Sequence, residues 1–420
     1  MNSNKKYCLF PKPHLTHLLF LFYFLSSVVK QYILKGIKKD KANFSIPIFK
    51  LYIHEIGDFL SIIPYIILKI KTKSHSYLKK LNTYNKINTY FKRANIFKKM
   101  LRKIIIFIFI ISFIDFIAQI STAVFYLIEG SRQMQVNHGN TNIVLIFNVI
   151  FLFILSKYIL DIKFYSHHYF SFIIFIICLI AMGIIDFINI VKESKDFINS
   201  LLYILIRIFS VLLYSIVNVI DKVVFLKYFI SPYFLLLSKA IIQLFFLIIF
   251  SIPFCFVKFN YKNKEEKIIF SMFGMIFEQK LAILFYIIYI ISSFFYNLLN
   301  LLIINKFSPE NVAIAFILES FGLFIIGTAN KEIKLDYNFG IKFIMHILLI
   351  IGSFIFNEFI VINICGLANN TKLFLDYKEK RDLSLINGSV NENTSSENLS
   401  ESVNEEINSN ASDEINSERD

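Results

Sequence analysis

Runs of about twenty apolar residues recur along this chain, and they constrain its fold more than any other feature. The stretches Ile104 to Ile114 and Ile344 to Ile355 contain no lysine, arginine or acid. A helix needs about 20 such residues to cross the hydrocarbon core of a membrane. Backbone inside lipid must satisfy its own hydrogen bonds, so long apolar runs become helices. Ten runs qualify, near 13–34, 46–70, 103–127, 141–160, 168–190, 200–222, 232–256, 280–303, 310–328 and 339–363. The first two carry Lys30 and Lys50 close to their ends. Composition agrees, with 56% hydrophobic and only 18% charged residues, against about 45–50% and about 25% in soluble domains. A soluble globule of 420 residues cannot hide that much apolar surface. The expected class is an all-α polytopic membrane protein.

The net charge of +14 is concentrated rather than spread. Between Lys71 and Lys103 lie eleven Lys/Arg and no acid. Short basic loops stay in the cytosol, so this one places the N-terminus (1–12) there, and an even number of spans brings the C-terminus to the same side. Lys35, Lys38, Lys39 and Lys41 would then face the other compartment, against the trend. The segment 13–34 follows a basic n-region but lacks a small-residue cleavage site, so it reads as a span rather than a cleaved signal. From about residue 384 the chain turns Asn/Ser/Glu-rich, with Glu392, Glu397, Glu401, Glu405, Glu406, Asp413 and Glu414. So few apolar residues cannot support a packed core, and a solvated acidic tail (384–420) is expected. Its sequons at Asn387, Asn393, Asn398 and Asn410 stay unmodified if the tail is cytosolic. Cys8, Cys178, Cys255 and Cys365 form no CxxC, so neither a zinc site nor a disulfide framework is expected.

Weak internal similarity divides the chain. Lys30-Gln-Tyr-Ile-Leu34-Lys35 matches Lys222-Val-Val-Phe-Leu226-Lys227, 192 residues later. Asn142-Ile-Val matches Asn311-Val-Ala, 169 residues later, and both open a span after a short polar turn. The offset shrinks because the first half (13–190) holds the basic loop and the second (200–375) does not. Five spans per half is odd, so the second half enters the membrane from the opposite side. Such inverted repeats place a substrate site near the bilayer midplane, between the halves.

The chain resembles the drug/metabolite transporter superfamily. The resemblance is carried by Asp115 through Ile185, including the Gln133–Asn142 turn and the Leu155–Ile162 end. Val217-Asn-Val-Ile-Asp-Lys222 with Phe229-Ile-Ser-Pro-Tyr carries it further, as does Lys306-Phe-Ser-Pro-Glu-Asn-Val-Ala-Ile-Ala315. It covers roughly 13–375 and looks most like the nucleotide-sugar-transporter-like, solute-carrier-35-like branch. It implies ten helices in two inverted five-helix halves, with spans three, four, eight and nine nearest the substrate. It also favours an endomembrane over the plasma membrane.

Ionisable groups inside lipid cost about 2.5–3.5 kcal/mol each on insertion scales, and those that persist usually face a cavity. The sharpest is Glu319, in mid-span, where a carboxylate could carry a proton or face a cation. Asp115 and Gln119 lie in span three. Glu55 and Asp58 are about a helical turn apart and share a face, as a cavity pair or a polar seam. Asp186 reads as a solvated helix end. Arg207 and Lys239 are too deep to snorkel and would either bind an anionic solute or pair with Asp115 or Glu319. Lys30 and Lys222 read as snorkelling anchors. Phe294-Phe-Tyr296-Asn297 is similar to an aromatic–Asn cluster of some nucleotide-sugar carriers. Asn142 and Asn311 join the candidates from the repeat. Ser231-Pro232 and Ser308-Pro309 read as helix starts.

An acyltransferase built on His346 and Asn311 would leave the repeat unexplained. A histidine-box desaturase needs clustered His, and only His167 and His168 are adjacent. No Gly-rich nucleotide loop or G-x-S-x-G elbow occurs. The expectation is a non-enzymatic secondary transporter for a small polar metabolite. A nucleotide sugar or other organic anion ranks first, and an amino-acid-like, cationic or drug-like solute second. An acyltransferase or a non-transporting scaffold is the alternative class. No cofactor or metal is expected. The partners would be the solute and membrane lipid, with a homodimer left open and no nucleic acid.

Overall fold

The computed structural model describes residues 13–39, 47–77, 87–130, 140–193, 197–252, 258–261, 264–267, 280–329, 337–358 and 360. The N-terminal 1–12, the Gln133–Gly139 part of the polar turn and the acidic tail lie outside them. Among the described residues each expected apolar run is helical, the second in two pieces. In chain order these are α1 (Pro13–Lys39), α2 (Pro47–Phe59), α3 (Ile62–Tyr77), α4 (Ile87–Gly130), α5 (Asn140–Ile159), α6 (Ser166–Glu193), α7 (Phe197–Tyr228) and α8 (Pro232–Ser251), then α9 (Lys280–Lys306), α10 (Pro309–Ala329) and α11 (Tyr337–Phe356). Between α8 and α9 a short antiparallel hairpin pairs β1 (Lys258–Tyr261) with β2 (Lys264–Lys267). Eight described helical segments are long and apolar enough to cross a membrane, and Leu18–Lys30 and Val144–Ile159 are shorter apolar helices. Large apolar side chains such as Ile105, Phe109, Ile177 and Phe245 point outward and are exposed. This is the pattern of an integral multi-pass membrane protein, whose outer surface meets lipid rather than water.

Two differences from the sequence expectation concern the first half. The second run is not one helix. It breaks at Leu60–Ser61, between α2 and α3. Pro64 supplies the reason, because it has no N–H and its ring crowds the carbonyl four residues earlier, that of Leu60. The chain tightens there into 3₁₀-type bonds, with the Leu60 N–H donating to the Gly57 carbonyl and the Ser61 N–H to that of Asp58, both at 3.0 Å. The basic segment 71–103 is also not simply a loop. Helix α3 runs on to Tyr77 and α4 already begins at Ile87, since Lys and Arg are good helix formers.

The chain clusters into two units. One comprises 1–164 with 171–354, the other 165–170 with 355–420. In the smaller unit, His167 Nε2 lies 3.1 Å from Glu358 Oε1, and the His168 ring meets Phe356 edge-on. In the larger unit the helices pack in a consistent scheme. Helix α4 lies on α7 and α1 on α9. Helix α5 packs on α7 and α10 on α1, while α2 contacts α9 and α4 contacts α8. Tyr23, Leu235, Leu298, Ile303, Ile304 and Val312 form a buried core among α1, α8, α9 and α10.

Helix α2 approaches the α9 backbone closely at Gly57. A Cβ there would stand 2.8 Å from the Ile290 carbonyl oxygen and 3.3 Å from Ser293 Cβ. Backbone cannot swing aside as a side chain can. Gly57→Val is therefore expected to lower stability by about 1–3 kcal/mol, the usual cost of overpacking. It should appear as an earlier thermal unfolding transition in detergent, whereas Gly340→Ala, with open space around it, should leave the transition in place.

Candidate functional site

A cavity of about 370 Å³ lies within the larger unit, among α1, α2, α4, α5, α7, α8, α9 and α10. Helix α7 shows how the sequence builds it. Arg207, Ser210, Val211, Tyr214, Val217, Asn218 and Asp221 all line the cavity. Their spacing of three and four residues puts them on one helical face. At 1.5 Å per residue that face runs about 21 Å along the helix from Arg207 to Asp221. The cavity is therefore tall and polar on this side, while the far side of α7 presents Leu205 and Phe209 outward.

Three cations and four carboxylates line the space. They are Lys30, Arg207 and Lys239 with Asp58, Asp115, Asp221 and Glu319. Lys239 is the centre of a buried triad. Its ammonium lies 3.0 Å from Asp115 Oδ2 and 3.2 Å from Asp221 Oδ2. One cation thus ties α4, α7 and α8 together and leaves the group with one excess negative charge. Of the two readings of Lys239, the ion pair is the one seen, and it holds one of the expected partners, Asp115. Asp221 was not among the candidates. It lay unread within the Val217–Lys222 stretch, in a helical face whose period could have exposed it.

A second cluster joins α1, α2 and α9. The Asn297 amide donates to Asp58 Oδ1 and Oδ2 at 2.7 and 2.8 Å, and lies 3.0 Å from His54 Nε2. His54 and Asp58 are four residues apart, so one turn of α2 offers both to the same amide. The Lys30 ammonium lies 3.5 Å from His54 Nδ1 and 4.3 Å from the Tyr296 ring centre. Lys30 is thus not a snorkelling anchor. It faces the cavity through a cation–π contact because α1 packs along α9. Tyr296 and Asn297 reach the cavity, whereas Phe294 is buried in the core and Phe295 points outward.

Several expected residues lie elsewhere. Glu55 is buried but does not line the cavity. Asn142 donates to Asp186 Oδ2 at 2.9 Å and accepts from Ser320 at 3.3 Å. Asp186 is 0% exposed, not a solvated end, and also pairs with Lys342. A buried carboxylate needs such partners. Asn311 donates to Ser308 Oγ at 2.9 Å, in the first turn of α10. Lys222 does not snorkel either, and donates to the Asn305 and Phe307 carbonyls at the end of α9. There it meets orphan carbonyls that a cation stabilises. Ser231 accepts from the Phe234 N–H as an ordinary cap of α8. His346 lies 3.4 Å from Ser320 Oγ and 2.8 Å from the Lys342 carbonyl oxygen. Gln119 and Glu319 do line the cavity, as do the amides of Gln243 and Asn300. Among the described residues, no group of His, Cys, Asp and Glu is arranged to hold a metal ion.

No protein-family model matches the sequence, and no curated protein matches it either. The site must therefore be interpreted from its own chemistry.

The triad makes a separable prediction. Lys239→Met alone leaves two carboxylates without their cation, and breaking such a buried arrangement costs about 3–5 kcal/mol. The triple variant Lys239→Met, Asp115→Asn, Asp221→Asn should recover most of that loss, because the excess charge goes with the cation. Thermal unfolding of the purified variants in detergent reads the difference.

Proposed function

We propose that this chain is a secondary transporter that moves a small polar solute by alternating access. The observation that carries the reading is the cavity itself. Seven Lys, Arg, Asp and Glu side chains, with His54, converge on one cavity inside a body whose outer face is apolar. Holding so many charges within a membrane is costly, and a scaffold has no use for the expense. A solute that needs polar contacts in transit does.

The packing supports ten spans in two inverted halves. Let α1, α2–α3, α4, α5 and α6 correspond in order to α7, α8, α9, α10 and α11. The contact of α4 with α7 then exchanges with that of α9 with α1. The α5–α7 contact exchanges with α10–α1, and α9–α2 with α4–α8, while α2–α8 and α5–α10 map onto themselves. A two-fold relation between the halves has this consequence. Asn142 and Asn311, matched in the sequence, each occupy the third residue of their helix, α5 and α10. The broken second span adds a discontinuous helix beside the cavity, a feature of carrier sites.

The sequence ranked nucleotide sugars and other organic anions first. The lining supports a different order. Four carboxylates against the three Lys and Arg side chains make it formally negative, and Glu55 lies buried outside the lining. A doubly charged anion gains little from such a surface, and a solute bearing positive charge gains more. An endomembrane location with cytosolic termini accompanies this proposal from the resemblance and the basic segment.

Uptake into proteoliposomes tests the reading, with and without an imposed pH gradient. Saturable, protein-dependent accumulation of a small polar solute is expected, and its absence with folded protein would remove the transporter reading. Glu319 faces the cavity near Tyr23, Tyr296 and Lys30. If it carries a coupling proton, Glu319→Gln should abolish the response to the gradient while downhill exchange persists.

A further inference from the structure

We infer that the cavity binds a small zwitterion, an α-amino acid or short peptide, whose ammonium group docks beside the Asp115–Lys239–Asp221 triad. The inference rests on the carrier reading above and names its substrate class.

The argument begins with polar atoms that are buried yet unsatisfied. Asp221 is 1% exposed, and its Oδ2 accepts from Lys239 while its Oδ1 has no hydrogen-bond partner among the described residues. Asn300 Oδ1 is likewise buried and without a partner, although its amide nitrogen contacts Asn218 Oδ1 at 3.5 Å. Both residues line the cavity. An unmet buried acceptor costs about 1–3 kcal/mol, so two of them facing one space mark where donors belong. Both open atoms are acceptors, and one belongs to a carboxylate in a triad with excess negative charge. The ligand group that fits is a cation rich in N–H donors, which describes a primary ammonium.

The helix registers place these atoms at neighbouring depths. Asn218 of α7 meets Asn300 of α9, and Lys222 of α7 meets the carbonyl of Asn305. Residue numbers rise together on both helices, so the two run parallel. Asn300 is level with Asn218, and Asp221 lies three residues further, about 4.5 Å deeper. A single ammonium can span that interval between side chains.

The opposite end of the ligand follows from the same registers. Lys239 stands seven residues into α8 and Asp221 seven residues before the end of α7, so their salt bridge joins points equally far from the α7–α8 turn. Gln243 is one turn beyond Lys239, about 6 Å further from the α7–α8 turn than Lys239 is. Its Nε2, a donor, is buried and has no partner among the described residues. Asn297 and Lys30 lie further in the same direction. Lys30 lies against His54 and over the Tyr296 and Tyr289 rings, and forms no salt bridge among the described residues. Along this axis the donors Gln243 Nε2 and the Lys30 ammonium thus follow the acceptors Asp221 Oδ1 and Asn300 Oδ1, with Asp58 and Glu319 also lining the Lys30 end. A molecule with an ammonium at one end and a carboxylate at the other matches both. A nucleotide sugar, with its charges all negative, matches only the second.

The test uses the full-length protein in proteoliposomes. Radiolabelled pools of the protein amino acids and of glycyl dipeptides are offered, in parallel with labelled UDP-glucose and glucose 6-phosphate. Saturable uptake from a zwitterion pool is expected. N-acetylation of the transported probe should weaken its competition roughly tenfold or more, the scale of a charged hydrogen bond lost at a buried site. Asp221→Asn should raise the half-saturating concentration of the same probe by a similar factor. Should that variant not fold, the acetylated probe on the unaltered protein decides alone. Equal competition by acetylated and free probes would overturn the ammonium site. Uptake of the nucleotide sugar or sugar phosphate, with none from the zwitterion pools, would overturn the substrate class and leave the carrier reading intact. No uptake in any arm by cooperatively folded protein would overturn both.

Discussion

A charge inside a membrane must be neutralised by a neighbour or face a wet cavity, and the body of this protein is organised around that requirement. The Lys239 ammonium meets it by drawing carboxylates from two other helices, Asp115 on α4 and Asp221 on α7. These helices also carry much of the packing in the larger unit. Apolar packing between helices has no hydrophobic advantage over contact with lipid tails. A buried charge cluster supplies the directional preference that apolar surfaces lack, because any register other than the observed one strands an ion. The Asn297–Asp58–His54 cluster does the same for α2 and α9, and the Asn142–Asp186–Lys342 cluster for α5, α6 and α11. Polar groups thus set which helices meet, and close contact at Gly57 sets how nearly.

How much of this was legible in the sequence follows from the same physics. The apolar runs were legible because span length is fixed by bilayer thickness, and each is helical where described, the second in two pieces. The break at Leu60–Ser61 was not foreseen, although Pro64 was in plain sight. Hydropathy averages over a window and is blind to one missing N–H. Ionisable residues were legible as exceptions within apolar runs, and Asp58, Asp115, Gln119, Arg207, Lys239 and Glu319 do reach the cavity, as do Tyr296 and Asn297. Their pairing was only half legible. Lys239 with Asp115 could be named as one option among several, but Asp221 needed the placement of α8 relative to α7.

Residues near span ends misled in a common way. Lys30, Lys222 and Asp186 all lie where a side chain can ordinarily reach water, and none of the three does so by the expected route. Lys222 instead meets the carbonyls at the end of α9, Asp186 meets Lys342, and Lys30 lies over Tyr296. In a bundle, the end of one helix faces the middle or end of its neighbours. Depth along one's own helix therefore says little about access to solvent. Asn142 and Asn311 were chosen for a repeat, and they serve helix starts and polar contacts rather than the cavity.

The proposed two-fold relation and the charge of the cavity pull in different directions, and the difference bears on mechanism. The strongest helix contacts exchange with one another when the halves are swapped, although α7–α9, α7–α10 and α9–α10 have no comparable counterparts, so under the proposed relation two arrangements of the halves would be similar in energy, as rocking requires. The lining is not symmetric. The first half contributes Lys30, Asp58 and Asp115, and the second Arg207, Asp221, Lys239 and Glu319. The triad itself crosses between halves, with Asp115 in one and its two partners in the other. Any motion that separates α4 from α8 must part that carboxylate from Lys239, at the cost of a buried ion pair. A ligand ammonium beside the triad can take up negative charge that Lys239 then no longer has to balance alone. An occupied cavity would on these grounds change arrangement more easily than an empty one, and in the proposed carrier that difference would couple movement of the protein to movement of the solute.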